Sequence, residues 1–252
     1  MCSVCGCGET HTHDPAGPEH HHHGPDTRLL RLEQDLLARN DRHAAGNRQW
    51  LAARGVGAVN LMASPGAGKT TLLVRTIRAC AGRWPIMVIE GDQQTSLDTE
   101  RIRATGATAL QINTGKGCHL DAHQVGHALE RLAPPPGAMV LIENVGNLVC
   151  PAGFDLGEQY RVVLLSVTEG DDKPLKYPDI FHRADLLLIT KIDLLPHVDF
   201  DPRRCAELAR RIRPGLPVLE VSARNGEGME QWYEWLASRR TGSHPGREAS
   251  GG

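Results

Sequence analysis

Aromatic residues are scarce in this 252-residue chain, at 4% of its composition, so leucine, valine, isoleucine and alanine must form its core. No stretch of 18 apolar residues is present, which excludes a membrane-spanning helix. The formal net charge of -2 gives no general attraction to nucleic acid or to an anionic membrane. The first residues, MCSVCGCGET, contain neither the basic nor the apolar segment of a signal peptide. We therefore expect a cytoplasmic protein that acts without nucleic acid or membrane partners.

The composition changes along the chain and predicts four regions. Residues 1–25 hold three cysteines and six histidines but almost no apolar side chains, so we expect a disordered, metal-binding arm. Residues 26–55 have leucines at spacings of three and four, typical of an amphipathic helix or helix pair. Residues 56–238 form the main domain. The Ser-, Gly- and Arg-rich residues 239–252 are expected to be a disordered tail.

Short apolar runs alternate with helical patterns through the main domain. Runs such as MVLIE and LLLIT are apolar on both faces, which is typical of parallel strands covered by helices on either side. The predicted fold class is therefore α/β, with a mostly parallel sheet and helices on both faces. The strands are predicted at Val59–Ala63, Ile86–Glu90, Ala109–Asn113, Met139–Glu143, Val162–Val167, Leu186–Thr190 and Val218–Ser222, and the helices at Thr70–Ala81, Thr95–Ala104, His119–Leu132, Pro202–Ile212 and Gly228–Ala237.

A glycine-rich segment follows the first predicted strand and leads directly into a helix. Its sequence, SPGAGKTT at residues 64–71, fits the phosphate-binding loop of P-loop nucleoside triphosphatases. The glycines let backbone N–H groups surround the phosphates, the lysine reaches the β and γ phosphates, and the threonine hydroxyl binds Mg²⁺. The residues predicted to bind nucleotide here are Gly66, Ala67, Gly68, Lys69, Thr70 and Thr71, and Lys69 and Thr70 are also predicted to be catalytic.

Two later segments are typical of guanine recognition. TKID at 190–193 follows a buried strand and resembles the base-specificity motif of GTPases, which more often begins with Asn. A carboxylate there can accept hydrogen bonds from both N1–H and the exocyclic amine of guanine. SAR at 222–224 resembles the second base-contacting loop. Because ligands of α/β sheets bind at the carboxyl ends of strands, we predict that GTP or GDP contacts Lys191, Asp193, Ser222, Ala223 and Arg224.

Two acidic residues at strand ends are predicted to serve hydrolysis. Asp92 follows the second strand, and Glu143 begins ENVGN, where most GTPases have Asp-x-x-Gly. We expect both carboxylates, with Thr70, to be catalytic and to bind Mg²⁺ directly or through water, and Gly146 to contact the γ phosphate. The alternative for Asp92 is a helix cap. No glutamine is placed in this motif to orient water, so slow turnover is expected.

The cysteines are unevenly distributed, and in a cytoplasmic chain they indicate metal binding or burial more than disulfides. Cys2, Cys5 and Cys7 offer three thiolates within six residues, which suits a four-coordinate metal site. The histidines of the arm add imidazoles, for which a purification tag is the alternative explanation. Cys80 and Cys205 lie in helical patterns and are predicted to be buried structural residues.

A second set of metal donors lies inside the main domain. Cys118 and His119 follow a strand and are predicted to open a helix, and Cys150 lies just beyond the ENVGN segment. Both loops leave the sheet at its nucleotide end, so a nickel or zinc site on these residues would be tied to the γ-phosphate contact. Three ligands leave a position open for a second copy or a partner. A buried cysteine and a capping histidine are the alternative.

The chain resembles the hydrogenase nickel-incorporation GTPases of the HypB type in the segments MCSVCGC, SPGAGKTT, EGDQQTSLDTERI, GCHLDA, ENVGNLVCP and TKIDLLP. The resemblance implies a GTPase of the nitrogenase-iron-protein-like class that dimerises with GTP. It implies nickel on the three arm cysteines, and a weaker nickel or zinc site on Cys118, His119 and Cys150. It also implies delivery to nickel–iron hydrogenase, with the small zinc-bearing maturation protein HypA and the hydrogenase large subunit as partners.

Three other functions are compatible with the sequence. A nickel storage or detoxification protein would make the arm the functional part, but the intact phosphate loop and Asp193 argue against it. The urease accessory GTPases share the loop and a TKID-like segment but have a Cys-Pro-His metal motif, which this sequence lacks. A nucleotide-dependent scaffold with structural zinc is the third.

Residues 168–181 also resemble a family segment, with Lys173 and Lys176 expected near the nucleotide or a second subunit.

Overall fold

The seven strands and their connecting helices follow one another in the order that the sequence predicts. The structure is a computed structural model that describes residues 27–92, 97–115, 117 and 119–240, without the side chains of residues 27–30, 32, 33 and 92. The strands are β1 (Gly57–Ala63), β2 (Ile86–Asp92), β3 (Thr108–Asn113), β4 (Met139–Glu143), β5 (Tyr160–Ser166), β6 (Leu186–Thr190) and β7 (Val218–Val221). The helices are α1 (Thr27–Arg54), α2 (Lys69–Cys80), α3 (Leu97–Arg103), α4 (Ala122–Leu132), α5 (Cys150–Gly153), α6 (Lys173–Lys176), α7 (Pro178–His182), α8 (Pro202–Ile212) and α9 (Met229–Ser238), and a 3-10 helix covers Ile192–His197.

The strands form one sheet in the order β3-β2-β4-β1-β5-β6-β7. Every described pairing is parallel, which confirms the predicted fold class. The phosphate-loop strand β1 lies between β4 and β5, with Leu61 opposite Glu143. Because the carboxyl ends of parallel strands lie at the same edge, the loops after β1, β2, β4, β6 and β7 meet there.

Helices cover both faces of this sheet. Alternate residues of β1 divide between them: Val59 and Leu61 face α2 and α9, whereas Ala58 faces α1 and α4. On the second face, α5, α7 and α8 cover the other half of the sheet, around Met62. Burial of these aliphatic side chains is the main stabilising contribution, at roughly 25 cal/mol per Å² of apolar surface. Cys80 in α2 and Cys205 in α8 are buried free thiols, as predicted.

Buried polar side chains position α1 between α4 and the loop that precedes β5. From Leu36 onward, α1 belongs to the same compact unit as the sheet. The Asn47 amide donates to the carbonyl oxygens of Ala122 at 2.7 Å and Leu156 at 2.9 Å. One guanidinium nitrogen of Arg48, Nη2, donates to both carboxylate oxygens of Asp155, at 2.7 and 2.8 Å. These bonds fix the rotation of α1 against α4, since a buried amide without partners would cost about 1–3 kcal/mol.

The predicted bounds of α2 and α9 are wrong by one residue, β5 begins two residues before the predicted strand, and the largest error is at the start of α4. The helix expected from His119 begins at Ala122, because Asp121 and Gln124 form a reciprocal capping box that fixes the first turn. His119 therefore lies in the connection before α4. The short helices α5, α6 and α7 were not predicted, since segments of four or five residues give no periodic pattern. None of the described helices is both long enough and apolar enough to cross a membrane.

Candidate nucleotide and metal site

The phosphate loop turns sharply between β1 and α2. Gly66 and Gly68 have φ angles of 76° and 94°, in the left-handed region that favours glycine. Gly68 directly precedes α2, so the first backbone N–H groups of that helix point into the loop, where they can bind anions. Lys69 and Thr70 are the first two residues of α2, and both are buried. The predicted loop and the side chains of Lys69 and Thr70 are thus held at the sheet edge.

The Thr70 hydroxyl donates a hydrogen bond to Oε1 of Glu143, at 2.8 Å. The second carboxylate oxygen, Oε2, is buried and has no hydrogen-bond partner among the described residues. Burial raises the pKa of Glu143 to about 7, although the Lys69 charge and the Thr70 hydroxyl oppose that shift. Burial also lowers the pKa of Lys69, against the attraction of Glu143. The structure therefore brings the side chains of Lys69, Thr70 and Glu143 together, and their catalytic and Mg²⁺-binding roles stay predictions.

The end of β2 provides a second buried acid that sequence reasoning missed. Asp92 is the last residue of β2, but its side chain lies outside the described part, so its Mg²⁺ role stays a prediction. Glu90 is buried two residues earlier, accepts a hydrogen bond from Thr99 of α3, and pairs in register with Glu143. An acid within the apolar strand IMVIE is the signal that could have identified it, since buried charges need a partner or a function.

The segment after β4 contacts both the phosphate loop and the connection before α4. A Cβ atom added at Gly146 would lie 3.1 Å from Cα of Pro65, so this position tolerates no side chain without displacing the loop. The buried Asn144 accepts from the backbone N–H of Val145 at 2.9 Å and of Leu120 at 3.3 Å. Asn144 was also missed, because its role depends on a contact with a distant part of the chain.

A cavity of about 330 Å³ lies beside the phosphate loop and is lined by all three predicted nucleotide segments. The Ser222 hydroxyl donates to Oδ1 of Asp193 at 2.6 Å and thereby orients the carboxylate. Arg75 of α2 donates to the carbonyl oxygens of Ala223 and Arg224, at 3.0 and 3.1 Å. The lining residues that belong to the predicted set are Ala67, Gly68, Thr71, Lys191, Asp193, Ala223 and Arg224.

Thr190 links the base motif to the phosphate loop. Its buried hydroxyl donates to the carbonyl oxygen of Ala67, at 2.8 Å. The next residue, Lys191, has a left-handed φ of 60°, and a Cβ atom built at Gly68 would lie 3.8 Å from Lys191 Cε. The lysine stem therefore passes over the loop and borders the cavity. The unusual Thr in TKID thus has a defined structural role.

The internal metal residues are only partly described. Cys118 lies outside the described residues, as do Cys2, Cys5, Cys7 and the His tract. His119 is half-buried against Phe154, with ring centroids 3.8 Å apart, and burial lowers its pKa. Cys150 begins α5, and its sulfur accepts from the Asn147 amide at 3.3 Å.

Phe154 directly follows α5, so the His119 connection lies against the element that begins with Cys150. Within the described part, no group of three or more His, Cys, Asp or Glu side chains is placed to hold a metal ion. The Cys118–His119–Cys150 set thus stays a prediction.

The two lysines of the segment 168–181 form ion pairs within that segment. Lys173 lies 3.4 Å from Glu169, and Lys176 lies 2.7 Å from Asp172. Glu169 also accepts from the backbone N–H of Ser166, at the end of β5, at 3.1 Å. Lys173 is thereby held near the sheet edge, whereas Lys176 is largely exposed.

Comparison with known proteins agrees with this geometry. The family model described as CobW/HypB/UreG, nucleotide-binding domain, matches residues 58–220. The chain is 52% identical to the hydrogenase maturation factor HypB of Azotobacter vinelandii, over 95% of this chain and 93% of that protein. It is similar to the crystal structure of HypB from Archaeoglobus fulgidus, with a TM-score of 0.76 and 43% identity over 81% of this chain and 99% of that one. The chain is also similar to a crystal structure of HypB from Helicobacter pylori in complex with nickel, with a TM-score of 0.78 and 35% identity over 84% of this chain and 99% of that one. The chain therefore belongs to the CobW/HypB/UreG nucleotide-binding family and, within it, to the hydrogenase maturation factors HypB.

Proposed function

We propose that this protein is a GTP-hydrolysing nickel metallochaperone that delivers nickel for assembly of the nickel–iron hydrogenase active site. Its nucleotide state controls a metal site through the segment that joins β4 to α5. The observation that carries the proposal is the placement of that segment. Gly146 packs against Pro65 of the phosphate loop, and Cys150 lies four residues further on. A change at the third phosphate therefore has a short path to a metal donor.

Guanine selectivity follows from the polar groups around the cavity. The Asp193 carboxylate is held by Ser222 and borders the cavity. Guanine presents two N–H donors to such a carboxylate, whereas adenine presents an acceptor at the equivalent ring nitrogen. The Lys191 stem provides an apolar surface for the base, and the loop at 222–224 is fixed by Arg75. GTP and GDP are therefore the nucleotides that this site fits best.

The residues beside the phosphate loop suit Mg²⁺. The unpartnered Oε2 of Glu143 and the adjacent Thr70 hydroxyl are oxygen donors, the type that Mg²⁺ prefers. We assign Thr70, Glu143 and Asp92 to hold the ion, directly or through water, while Lys69 pairs with the phosphates. A Mg²⁺ ion held by these residues would supply positive charge to offset the negative charge that develops on the phosphates during hydrolysis. Without a helper we expect intrinsic turnover of roughly 10⁻⁴ to 10⁻² s⁻¹.

Nickel is proposed as the cargo at two places. Cys2, Cys5 and Cys7 would form the tight site in the arm, and Cys118, His119 and Cys150 the internal site, where zinc also fits the donors. The contact between His119 and Phe154 supports the internal site, because it holds the imidazole next to α5. The structure of the Helicobacter pylori relative is in complex with nickel, which supports nickel as the metal. Burial favours the neutral imidazole that a metal requires.

The partners follow from the same proposal. An internal site with three ligands per chain leaves a coordination position open, so we propose that two copies associate when GTP is bound. The exposed apolar side chains Leu97 and Val149, near the nucleotide edge, support such an interface. We further propose a cytoplasmic location, with HypA and the hydrogenase large subunit as partners. The organisation is an arm at 1–25, a helical segment at 26–55, a GTPase domain at 56–238 and a tail at 239–252.

The proposal is tested by titrating the full chain with nickel in the presence of GDP and then of a non-hydrolysable GTP analogue. Cys2, Cys5 and Cys7 are first changed to Ser, and thiolate-to-nickel absorption is read, because it reports cysteine ligands and ignores the arm histidines. We expect the nickel affinity to differ at least tenfold between the two nucleotides, which corresponds to about 1.4 kcal/mol of coupling.

Two substitutions serve as controls in this titration. His119→Gln is expected to weaken the absorption signal, whereas His182→Gln, at an exposed histidine of α7, leaves it unchanged. Equal nickel affinity with GDP and with the GTP analogue would remove the coupling and leave a guanine-nucleotide enzyme with an independent chelating arm. Full hydrogenase maturation by a Lys69→Ala variant would instead favour nickel storage as the function.

A further inference from the structure

Three histidines lie together on the surface between α1 and α4, away from the nucleotide cavity. His123 and His127 occupy successive turns of α4, and their Nε2 atoms are 3.1 Å apart. The ring of His43, on α1, lies against His123 with centroids 4.9 Å apart. The three rings border a pocket of about 300 Å³. We propose that His123 and His127, with His43 beside them, form a surface site for a divalent transition-metal ion of the nickel or zinc type.

The spacing of the two α4 histidines is that of two donors on one metal ion. Metal–nitrogen bonds of about 2.0–2.1 Å place two donors about 2.9 Å apart at a right angle and about 3.3 Å apart at the tetrahedral angle. The observed 3.1 Å between the Nε2 atoms lies between these values. Residues four apart face the same side of a helix. The pair therefore needs no backbone movement to bind an ion.

A carboxylate behind one ring favours the required tautomer. Glu130 Oε2 lies 3.6 Å from Nδ1 of His127, on the side of the ring away from His123. A proton on that Nδ1 leaves the Nε2 lone pair available, in the arrangement that orients metal-binding histidines in many proteins. His123, which can share an Nε2 proton with His127 in the metal-free state, holds its proton on Nδ1 when the ion is bound.

The third donor comes from the neighbouring helix. As the side chains stand, the described residues hold no preassembled group of three metal donors. His43 is half-buried beside His123, and rotation about its side-chain bonds can turn a ring nitrogen toward the pair. Water fills the remaining positions. Arg42 also borders the pocket, but its long side chain is exposed and can place its charge in solvent.

The surrounding backbone keeps α1 and α4 close at this place. Gly126 of α4 packs on Asn47 of α1, and a Cβ atom there would lie 2.7 Å from the Asn47 side-chain oxygen. Asn47 in turn donates to the carbonyl oxygen of Ala122 at the start of α4. The residues that line this pocket include none of the Cys118–His119–Cys150 set. An ion bound here joins α1 to α4.

The test uses the full chain with the other proposed donors removed. The six arm histidines and His119 are changed to Gln, and the cysteines at 2, 5, 7, 118 and 150 to Ser. Calorimetry with nickel(II) alone, without nucleotide, is expected to show one ion per chain. Addition of His123→Gln and His127→Gln is expected to abolish that binding. His182→Gln with His197→Gln, two exposed histidines elsewhere, is the matched control and retains it.

Nickel binding that survives loss of both α4 histidines, or no nickel binding in the parent variant, would overturn the proposal and leave an ordinary hydrogen bond between the two rings. His43→Gln is expected to weaken the affinity several-fold, and an unchanged affinity would exclude α1 from the site.

A second measurement avoids the many substitutions. In the unaltered chain, paramagnetic nickel is expected to broaden the NMR signals of the Gly46 and Gly126 amides, and His123→Gln with His127→Gln is expected to abolish that broadening. Neither experiment depends on nucleotide, so their failure leaves the proposed GTPase function untouched.

Discussion

The Thr70 hydroxyl donates to Glu143 across the edge between β1 and β4, while the other oxygen of that carboxylate has no partner among the described residues. The pKa of Glu143 is raised to about 7 because burial penalises its charged form. In the unfolded chain the same group titrates near its ordinary value of 4.5. Between about pH 4.5 and pH 7, the Glu143 carboxyl group is therefore protonated in the folded, nucleotide-free protein and ionised in the unfolded chain.

Glu143→Gln is expected to remove part of the pH dependence of stability. Since the folded pKa is the higher one, the favourable contribution is present below about pH 4.5 and is lost as pH rises to about 7. Without nucleotide, the free energy of unfolding of the original protein should thus fall by about 2–3 kcal/mol between pH 5 and 8 relative to Glu143→Gln. Urea unfolding at both pH values measures this difference.

The control for this experiment is Glu207→Gln, at an exposed position of α8, which should follow the original protein. Parallel pH curves for the original protein and Glu143→Gln would show that Glu143 titrates normally. GTP hydrolysis by Glu143→Gln is expected to be greatly reduced, because the amide supplies no negative charge for the Mg²⁺ ion.

Asp193→Asn is expected to change the base that the cavity accepts. The two hydrogen bonds from guanine to this carboxylate contribute about 1.5–3 kcal/mol each, so GTP affinity should fall at least 100-fold. Xanthosine triphosphate should bind better to the variant, since the amide N–H can donate to its second carbonyl oxygen. Competition with a fluorescent nucleotide measures both affinities. Asp199→Asn, at an exposed position nearby in sequence, is the control; equal losses in both variants would exclude a base contact.

The sheet was predictable because its strands are apolar on both faces and are separated by helical patterns. β4 and β6 have the predicted bounds, and the phosphate loop could be found because glycine is required where φ is positive. The convergence of Lys69 and Glu143 could also be predicted, since Lys69 follows β1 and Glu143 ends β4, which are neighbouring parallel strands. Local chemistry and the geometry of parallel strands were sufficient for these features.

Contacts between distant segments could not be predicted. The start of α4, by contrast, has a local signal, because Asp121 and Gln124 have the spacing of a capping box, which outweighs the apparent helical pattern from His119. Asn144 is polar yet buried because it accepts from Leu120, a residue in another connection. His43 and His123 are 80 positions apart in the sequence and meet only because α1 packs on α4. A single sequence contains no signal for such pairings.

Thr190→Val is expected to weaken nucleotide binding without changing base preference. Valine has nearly the same shape as threonine but cannot donate a hydrogen bond. The 2.8 Å bond from the Thr190 hydroxyl to the carbonyl oxygen of Ala67 would therefore be lost. Loss of one such bond costs about 1 kcal/mol, so GTP and GDP affinities should both fall roughly fivefold. Thr190→Ser retains the hydroxyl and should bind almost as the original protein does. If Thr190→Ser lost affinity and Thr190→Val did not, packing of the methyl group rather than the hydrogen bond would explain the role of Thr190.

Thr76→Val is expected to destabilise the fold while leaving the nucleotide cavity intact. The Thr76 hydroxyl, on α2, accepts a hydrogen bond from the indole N–H of Trp232, on α9, at 2.9 Å, and both residues are fully buried. Valine leaves the indole N–H without a partner, which costs about 1–3 kcal/mol of unfolding free energy. Urea unfolding followed by tryptophan fluorescence measures the loss, and Thr76→Ser should recover most of it.

Lys69 and Thr70 lie at the other end of α2 and are fixed separately by Glu143, so GTP affinity should stay within about twofold of the original. A larger loss of affinity at unchanged stability would show that α2 transmits strain from α9 to the phosphate loop.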